Sequence, residues 1–312
     1  MNIVVLCGGV GAARFLLGLR SLKYLHPQIK IEAIVNTGDD DTFYGQYVCP
    51  DIDTILYHLS GLHDEQRGWG RKNDTFNFVQ TLKELGEESW FNLGDKDLAL
   101  NKIRTELRSQ KVDLSTITSH LCRKLVIDDV KVMPMSNEKV STKIITDKNE
   151  KLSMQEYFVR ERCKPVIKDI QYESEKLIAN PIALYSLANA DKIIIAPSNP
   201  FLSILPILAI EVIANIIHDK KEITTAVSPL IGNHAVKGPL ALNMESLGHD
   251  VSSVGIAKIY REFINTLVID ESDFELETQI NELGIKTQLC PTLMDSEKNR
   301  LNLAACVAGL EK

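Results

Sequence analysis

A surplus of positive charge is missing from this chain. Lysine and arginine number 35 against 42 aspartates and glutamates, a formal net charge of −7. Neutralising the phosphates of a nucleic acid takes clustered basic residues, and no long tail of one sign is present, so a general nucleic-acid binder is excluded. A long apolar run is missing too. None reaches the roughly 18 to 20 residues that span a bilayer, and the best stretch, 193–217, is interrupted by Pro197, Pro200 and Pro206. The chain opens directly on Ile3-Val4-Val5-Leu6 with no basic segment before it, unlike a signal peptide. Its six cysteines form no C-x-x-C pair and its seven histidines no H-E-x-x-H, so neither a disulfide framework nor a structural zinc site is expected. The expectation is a cytoplasmic protein with free thiols, no membrane and no nucleic-acid partner.

What is present reads as an α/β protein. At 312 residues the chain is long enough for one large sheet domain. The stretch 2–7 is a short apolar run ending at glycines, as a buried parallel strand does. Helical spacing follows over 10–24, with Ala13, Leu16, Leu17 and Leu22, and then a second strand over 31–35. Strand, glycine turn, helix and strand make a βαβ unit. The second half repeats the pattern, with strands expected at 192–196, 224–227, 265–269 and 285–289 and helices at 203–217 and 297–310. The middle, about 62–172, differs. Helices are expected over 77–85, 98–108 and 114–123, then strands over 130–135 and 140–146. The predicted fold is a Rossmann-like, doubly wound, mostly parallel sheet spanning 1–312 as a single domain, with 62–172 a largely helical insertion.

Four motifs carry candidate chemistry. In Cys7-Gly8-Gly9-Val10-Gly11-Ala12-Ala13-Arg14 a glycine turn opens a helix, where backbone N–H groups can meet a phosphate and Arg14 can pair with it. No Walker A sequence, G-x-x-x-x-G-K-[ST], is present, and the dinucleotide fingerprint is incomplete because Arg14 stands at the third glycine position and no acidic residue ends the second strand at the usual distance, which disfavours an NAD-dependent oxidoreductase. Asp39, Asp40 and Asp41 follow the second strand, and Asp51 and Asp53 lie in Pro50-Asp51-Ile52-Asp53-Thr54. Carboxylates massed at strand ends suit a hard cation such as Mg²⁺ acting with substrate phosphates, although Asp51 also suits an N-cap. Gly94-Asp95-Lys96-Asp97 is a charged turn in which Asp95 is placed to cap the next helix, with Arg104 on that helix. Trp69 and Trp90 flank the region; either suits stacking on a flat ring, although core packing is the commoner role and the one expected here. Pro197-Ser198-Asn199-Pro200, with Ser228-Pro229 after the next strand, offers hydroxyl and amide groups for base or ribose recognition, or for bonding the loop to itself. No Gly-x-Ser-x-Gly element is present, and Cys7 reads as a small buried residue ending a strand.

In order along the chain, LCGGVGAARFLLGL (6–19), VNTGDDD (35–41), YVCPDIDTILY (47–57), RGWG (67–70), LGDKDLA (93–99), MPMSN (133–137), PSNP (197–200), AVSPLIG (226–232) and LVID (267–270) resemble the 2-phospho-L-lactate transferases, a family that includes phosphoenolpyruvate transferases and acts in biosynthesis of the deazaflavin coenzyme F-420. The resemblance implies a guanylylated three-carbon phospho-acid as donor and the hydroxyl of the deazaflavin Fo as acceptor. It further implies release of GMP, assistance by Mg²⁺ and a homodimer. On that reading Asp39, Asp40 and Asp51 are the candidate metal ligands, and Asp51, Asp53 and Lys96 the candidate catalytic residues. Gly8, Gly9, Gly11, Arg14, Asn36, Asp51, Lys96, Ser198, Asn199, Pro200 and Ser228 are the candidate substrate contacts. Three positions depart from the pattern. Leu100-Asn101 stands where many relatives have Thr-His, Lys96 replaces an arginine, and Asn233 stands where many have a second glycine. The alternative is a non-catalytic, nucleotide-sugar-binding regulator like the gluconeogenesis factors, whose typical glycine–serine loop PSNP replaces.

Overall fold

The computed structural model describes residues 1–232, 234–235 and 239–310. Asn233, one of the three departing positions, lies outside the described residues. Seven parallel strands form the central sheet, in the order Lys286–Leu289, Thr266–Ile269, Thr224–Val227, Lys192–Ile195, Asn2–Cys7, Lys30–Val35, Val130–Pro134. The first strand sits inside the sheet. The chain winds outward from it on one side, then returns to its other side at Lys192–Ile195 and winds outward again. That reversal makes the doubly wound order and leaves a crevice beyond the carboxyl ends of the two strands.

Side-chain alternation explains why the first strand is buried on both faces. Ile3, Val5 and Cys7 point into one apolar layer, and Val4 and Leu6 into the other. The first layer is closed by helices Gly9–Leu25, Pro50–Leu59 and Glu297–Ala308, through Leu16, Leu19, Ile52, Ile55, Leu303 and Val307. The second is closed by Pro181–Ala188, Glu211–Asp219 and Ser253–Tyr260, through Leu187, Ile213, Ile256 and Tyr260.

Two expectations need correcting. The helix expected over 203–217 is broken into a π-helical turn, Pro200–Ile204, a short helix, Leu205–Leu208, and the helix Glu211–Asp219, with a 90° bend between the last two. Pro206 sits at the first turn of the middle piece, where its missing N–H costs nothing, and so restarts the helix. Among the described residues no single helix is long and apolar enough to cross a membrane. The stretch 62–172 does not lie wholly outside the sheet either, since Val130–Pro134 pairs in parallel with Lys30–Val35 as its edge strand. Helices Asn77–Glu84, Asp95–Ser109 and Leu114–Lys124 precede that strand. A three-stranded antiparallel sheet, Lys151–Ser153, Ser141–Thr146 and Ile167–Glu173, follows it.

Candidate active site at the sheet crossover

The crevice is filled by two loops that hold each other. Gly8–Gly11 follows the strand Asn2–Cys7, and 197–200 follows Lys192–Ile195. The Ser198 hydroxyl donates to the Gly8 carbonyl at 2.8 Å. A Cβ on Gly11 would lie 2.0 Å from the Pro197 carbonyl oxygen, and one on Gly8 would lie 2.4 Å from the Ser203 Cβ. Glycine is needed here for close approach of one backbone to another.

Beside these loops lies a cavity of about 620 Å³. Gly8, Gly9, Gly11, Arg14, Asp39, Asp51, Asp53, Asp97, Ser198, Asn199 and Ser228 all line it, so most of the sequence candidates meet there. Its apolar wall includes Tyr57, Trp69, Phe91, Met154, Phe158 and Met294. Trp69 is 43% exposed and faces this cavity, contrary to the expected core position. Trp90 instead packs edge-on against Phe43 at 5.6 Å between ring centroids.

Asp51 does not cap its own helix. Its Oδ1 accepts the Gly9 N–H at 2.8 Å, so a carboxylate takes one of the N–H groups expected to meet a phosphate. The Asn36 side-chain amide donates to Asp51 Oδ2 at 2.9 Å and approaches Asp39 Oδ1 at 3.5 Å, holding the two carboxylates side by side. Asn36 is itself fully buried and does not line the cavity, so it positions carboxylates rather than contacting a ligand. Asp40 is turned away from the cavity, beside the Cys49 thiol and the Tyr47 hydroxyl, which donates to it at 3.3 Å. Asp53 is chelated by the Arg104 guanidinium, Nη1 to Oδ2 at 3.0 Å and Nη2 to Oδ1, in a pair that is almost wholly buried.

Lys96 is exposed. Its ammonium donates to the Asn73 carbonyl at 2.6 Å, and it is absent from the cavity wall. Its neighbour Asp97 lines the cavity instead. Asp95 caps a different helix from the one expected, accepting the N–H groups of Asn77 and Phe78 at 3.1 Å each, while Asp74 accepts those of Lys96 and Asp97. Two loops therefore cap each other's helices. The polar side chains of the 197–200 loop are largely spent on the fold. Asn199 accepts from Phe201 and Leu202 and donates to Asn243, and Pro200 opens the π-helical turn without itself lining the cavity. Ser228 pairs with the Ser253 hydroxyl at 2.9 Å. Arg14 forms no ion pair among the described residues and lines the cavity, which leaves its charge for a ligand.

Burial dominates the electrostatics. It raises the Asp39 carboxyl well above the usual range, helped by the charges of Asp51 and Asp40. Burial also pushes Asp51 up to about 6, against its bonds from Asn36 and Gly9, and Asp40 up to about 8. Asp97 is pushed up to about 7 by burial and by the charge of Asp53. These groups bind protons more tightly folded than unfolded. Their stabilising contribution is complete below the unfolded carboxyl range and is lost as pH rises through the folded values. The melting temperature of ligand-free protein is therefore expected to fall as pH rises through about 6, 7 and 8, the values for Asp51, Asp97 and Asp40. Asp40→Asn should flatten the upper part of that fall. Melting curves across the range, rising where a fall is expected, would overturn this assignment.

The residues that sequence reasoning undervalued share one helix face. Asp97, Asn101 and Arg104 lie at i, i+4 and i+7 on Asp95–Ser109. That spacing was a signal available in the sequence, but its partners Tyr57 and Asp53 lie on another helix, Pro50–Leu59.

Known proteins resemble this chain along nearly its whole length. Residues 3–308 match the family described as 2-phospho-L-lactate transferase CofD. A 2-phospho-L-lactate transferase from Methanococcoides burtonii is 36% identical over 295 residues, covering 94% of each chain. One from Methanothermobacter thermautotrophicus is 35% identical over 307 residues, covering 98% of this chain and 97% of that one. Among solved structures, a UPF0052 family protein from Bacillus halodurans shares the fold with a TM-score of 0.67 at 15% identity, over 98% of this chain and 99% of that one. With its doubly wound sheet and the glycine and aspartate loops of its crossover cleft, this chain belongs to the 2-phospho-L-lactate transferase family.

Proposed function

We propose that this protein transfers a phospholactyl or phosphoenolpyruvyl group from a guanylylated donor to the hydroxyl of the deazaflavin Fo, with release of GMP. The observation that carries this reading is that one cavity is lined by two sets of groups. The first set is the paired carboxylates, the glycine turn and Arg14, which forms no ion pair among the described residues, and the second is the broad rings of Trp69, Phe91 and Phe158. The first suits a diphosphate, and the second suits a flat tricyclic ring.

Mg²⁺ fits one part of this arrangement. Among the described residues no group of three or more His, Cys, Asp or Glu side chains is placed to hold a metal ion. Asp39 and Asp51 nevertheless stand together at the cavity wall, both raised by burial, and among the described residues neither forms an ion pair with a basic side chain. Two carboxylates are what Mg²⁺ takes from a protein when substrate phosphates supply other ligands. Bound there, it would neutralise charge on the diphosphate. Asp40 faces away from the cavity and stands outside this set.

The protein's own groups supply positioning. Arg14 and the N–H groups of the glycine turn left free by Asp51 hold phosphate oxygens. Asn36 keeps Asp39 and Asp51 in register. The aromatic wall orients the deazaflavin so that its hydroxyl reaches the phosphorus. Transfer of this kind depends on alignment and charge neutralisation more than on a covalent nucleophile.

Purified protein incubated with Fo, Mg²⁺ and guanylylated 2-phospholactate or phosphoenolpyruvate is expected to yield GMP by chromatography and the matching phosphodiester by mass spectrometry. No GMP with either acid, nor with the phosphoglycerate analogue, overturns the reading.

A further inference from the structure

Three carboxylates of the cavity have both oxygens accounted for or are placed to serve a cation. Asp53 gives both to Arg104, Asp51 gives one to Gly9 and one to Asn36, and Asp39 stands beside Asp51 under the same amide. Asp97 is different. Its Oδ1 accepts from the Tyr57 hydroxyl at 2.5 Å and from the Asn101 amide at 3.2 Å. Its Oδ2 has no hydrogen-bond partner among the described residues. The residue is partly buried and lines the cavity.

The support behind Asp97 is unusually complete. Asn101 also donates to the Asp97 carbonyl at 3.0 Å, and its own Oδ1 accepts from Arg104 Nη1. Arg104 in turn grips Asp53 and reaches the Tyr47 carbonyl at 3.4 Å. The Asp97 N–H is held by Asp74 at 3.2 Å. The carboxyl is therefore fixed through one oxygen, with the other left over. A positioned proton acceptor needs that arrangement: orientation set from behind, and one basic atom free in front.

We propose that Asp97 accepts the proton of the acceptor hydroxyl during group transfer, with Tyr57 and Asn101 as its positioning residues. The proposal rests on the transferase reading above. The hydroxyl O–H bond breaks as its oxygen bonds to the phosphorus of the three-carbon phospho-acid. The proton passes to Asp97 Oδ2. The phosphorus–oxygen bond to the guanylyl phosphate breaks, and GMP leaves with the electron pair. Asp97 returns its proton to solvent once product departs.

The electrostatic setting agrees. Burial raises the Asp97 carboxyl, as do the charges of Asp53 on helix Pro50–Leu59 and Asp74 in the preceding loop. The Tyr57 hydrogen bond and the Arg104 charge act against the rise, and the result is about 7. The Arg71 guanidinium also lies over the Tyr57 ring, 5.6 Å from its centre. A base near neutrality combines the unprotonated form with useful proton affinity at working pH. The Asn101 side-chain amide links Asp97 to Arg104.

The test is steady-state kinetics of GMP release with Fo and the guanylylated donor, on wild type, Asp97→Asn and Tyr57→Phe, with melting curves to establish folding. Asp97→Asn is expected to lower kcat about 100-fold or more, the usual contribution of a positioned base, while KM for both substrates changes little. Tyr57→Phe removes a bond that holds the Asp97 proton affinity down, so the acid limb of kcat/KM is expected to move to higher pH. A purely structural role for Asp97 would leave that limb in place. A folded Asp97→Asn with kcat near wild type, or an unmoved limb in folded Tyr57→Phe, overturns the proposal. Wild type that makes no GMP defeats the transferase reading instead, so the two failures are distinguishable.

Discussion

Arg104→Met is expected to destabilise the protein by about 3–5 kcal/mol in urea unfolding at neutral pH, the usual cost of stripping one partner from a buried ion pair. Arg104 is fully buried, and its guanidinium holds both oxygens of Asp53 as well as the Asn101 side chain. Removing the cation leaves the Asp53 carboxylate without compensation in a site where burial already raises its proton affinity. The penalty should therefore depend on pH. In the variant the folded Asp53 carboxyl moves further above its unfolded value, so its contribution to stability is present below about pH 4 and is lost as pH rises. The stability gap between variant and wild type is expected to widen from mildly acidic to neutral pH. Adding Asp53→Leu should recover much of the loss, because two apolar side chains of similar volume leave no stranded charge. A cost below about 1 kcal/mol for Arg104→Met alone, the scale of an exposed pair, would show that the pair is not held as the geometry indicates.

Gly11→Ala is expected to reduce GMP release about 100-fold, the scale of a displacement of roughly one ångström in a site that works by alignment. The added methyl group would lie 2.0 Å from the Pro197 carbonyl oxygen, which is backbone and cannot swing aside as a flexible side chain can. The two crossover loops must part. The Ser198-to-Gly8 hydrogen bond crosses this junction, and the adjacent Gly9 N–H donates to Asp51, so the carboxylates shift relative to the glycine turn. Overpacking a tight site also costs about 1–3 kcal/mol, so melting curves should accompany the assay. Activity within a few-fold of wild type in a folded Gly11→Ala protein would mean that the loop separation does not set the reaction geometry.

The parts of the fold legible in the sequence are those that depend on neighbouring residues. The apolar runs over 2–7, 31–35, 192–196 and 224–227 are strands because they are short, nearly continuous and closed by glycine, proline or polar clusters. The break after Pro200 was less legible. A stretch apolar enough for a buried helix gives no periodicity to reveal where a turn of π-helix and a bend interrupt it. Val130–Pro134 reads as a strand, but its place at the edge of the main sheet follows from pairing with Lys30–Val35, about a hundred residues away in the chain.

The candidate site divides in the same way. The sequence by itself determined which chemical groups were available: a glycine turn, an excess of carboxylates and an arginine about one turn into the first helix. Which of them remain free was decided only by the tertiary structure. Asp51 is tied to Gly9 across 42 positions, Asp53 to Arg104 across 51, and Ser198 to Gly8 across 190. Lys96 and Asp97 are adjacent in sequence, yet one points to a surface carbonyl and the other lines the cavity. A side chain's residue type is local information. Its hydrogen-bond commitments, its desolvation and hence its proton affinity come from atoms that folding brings next to it.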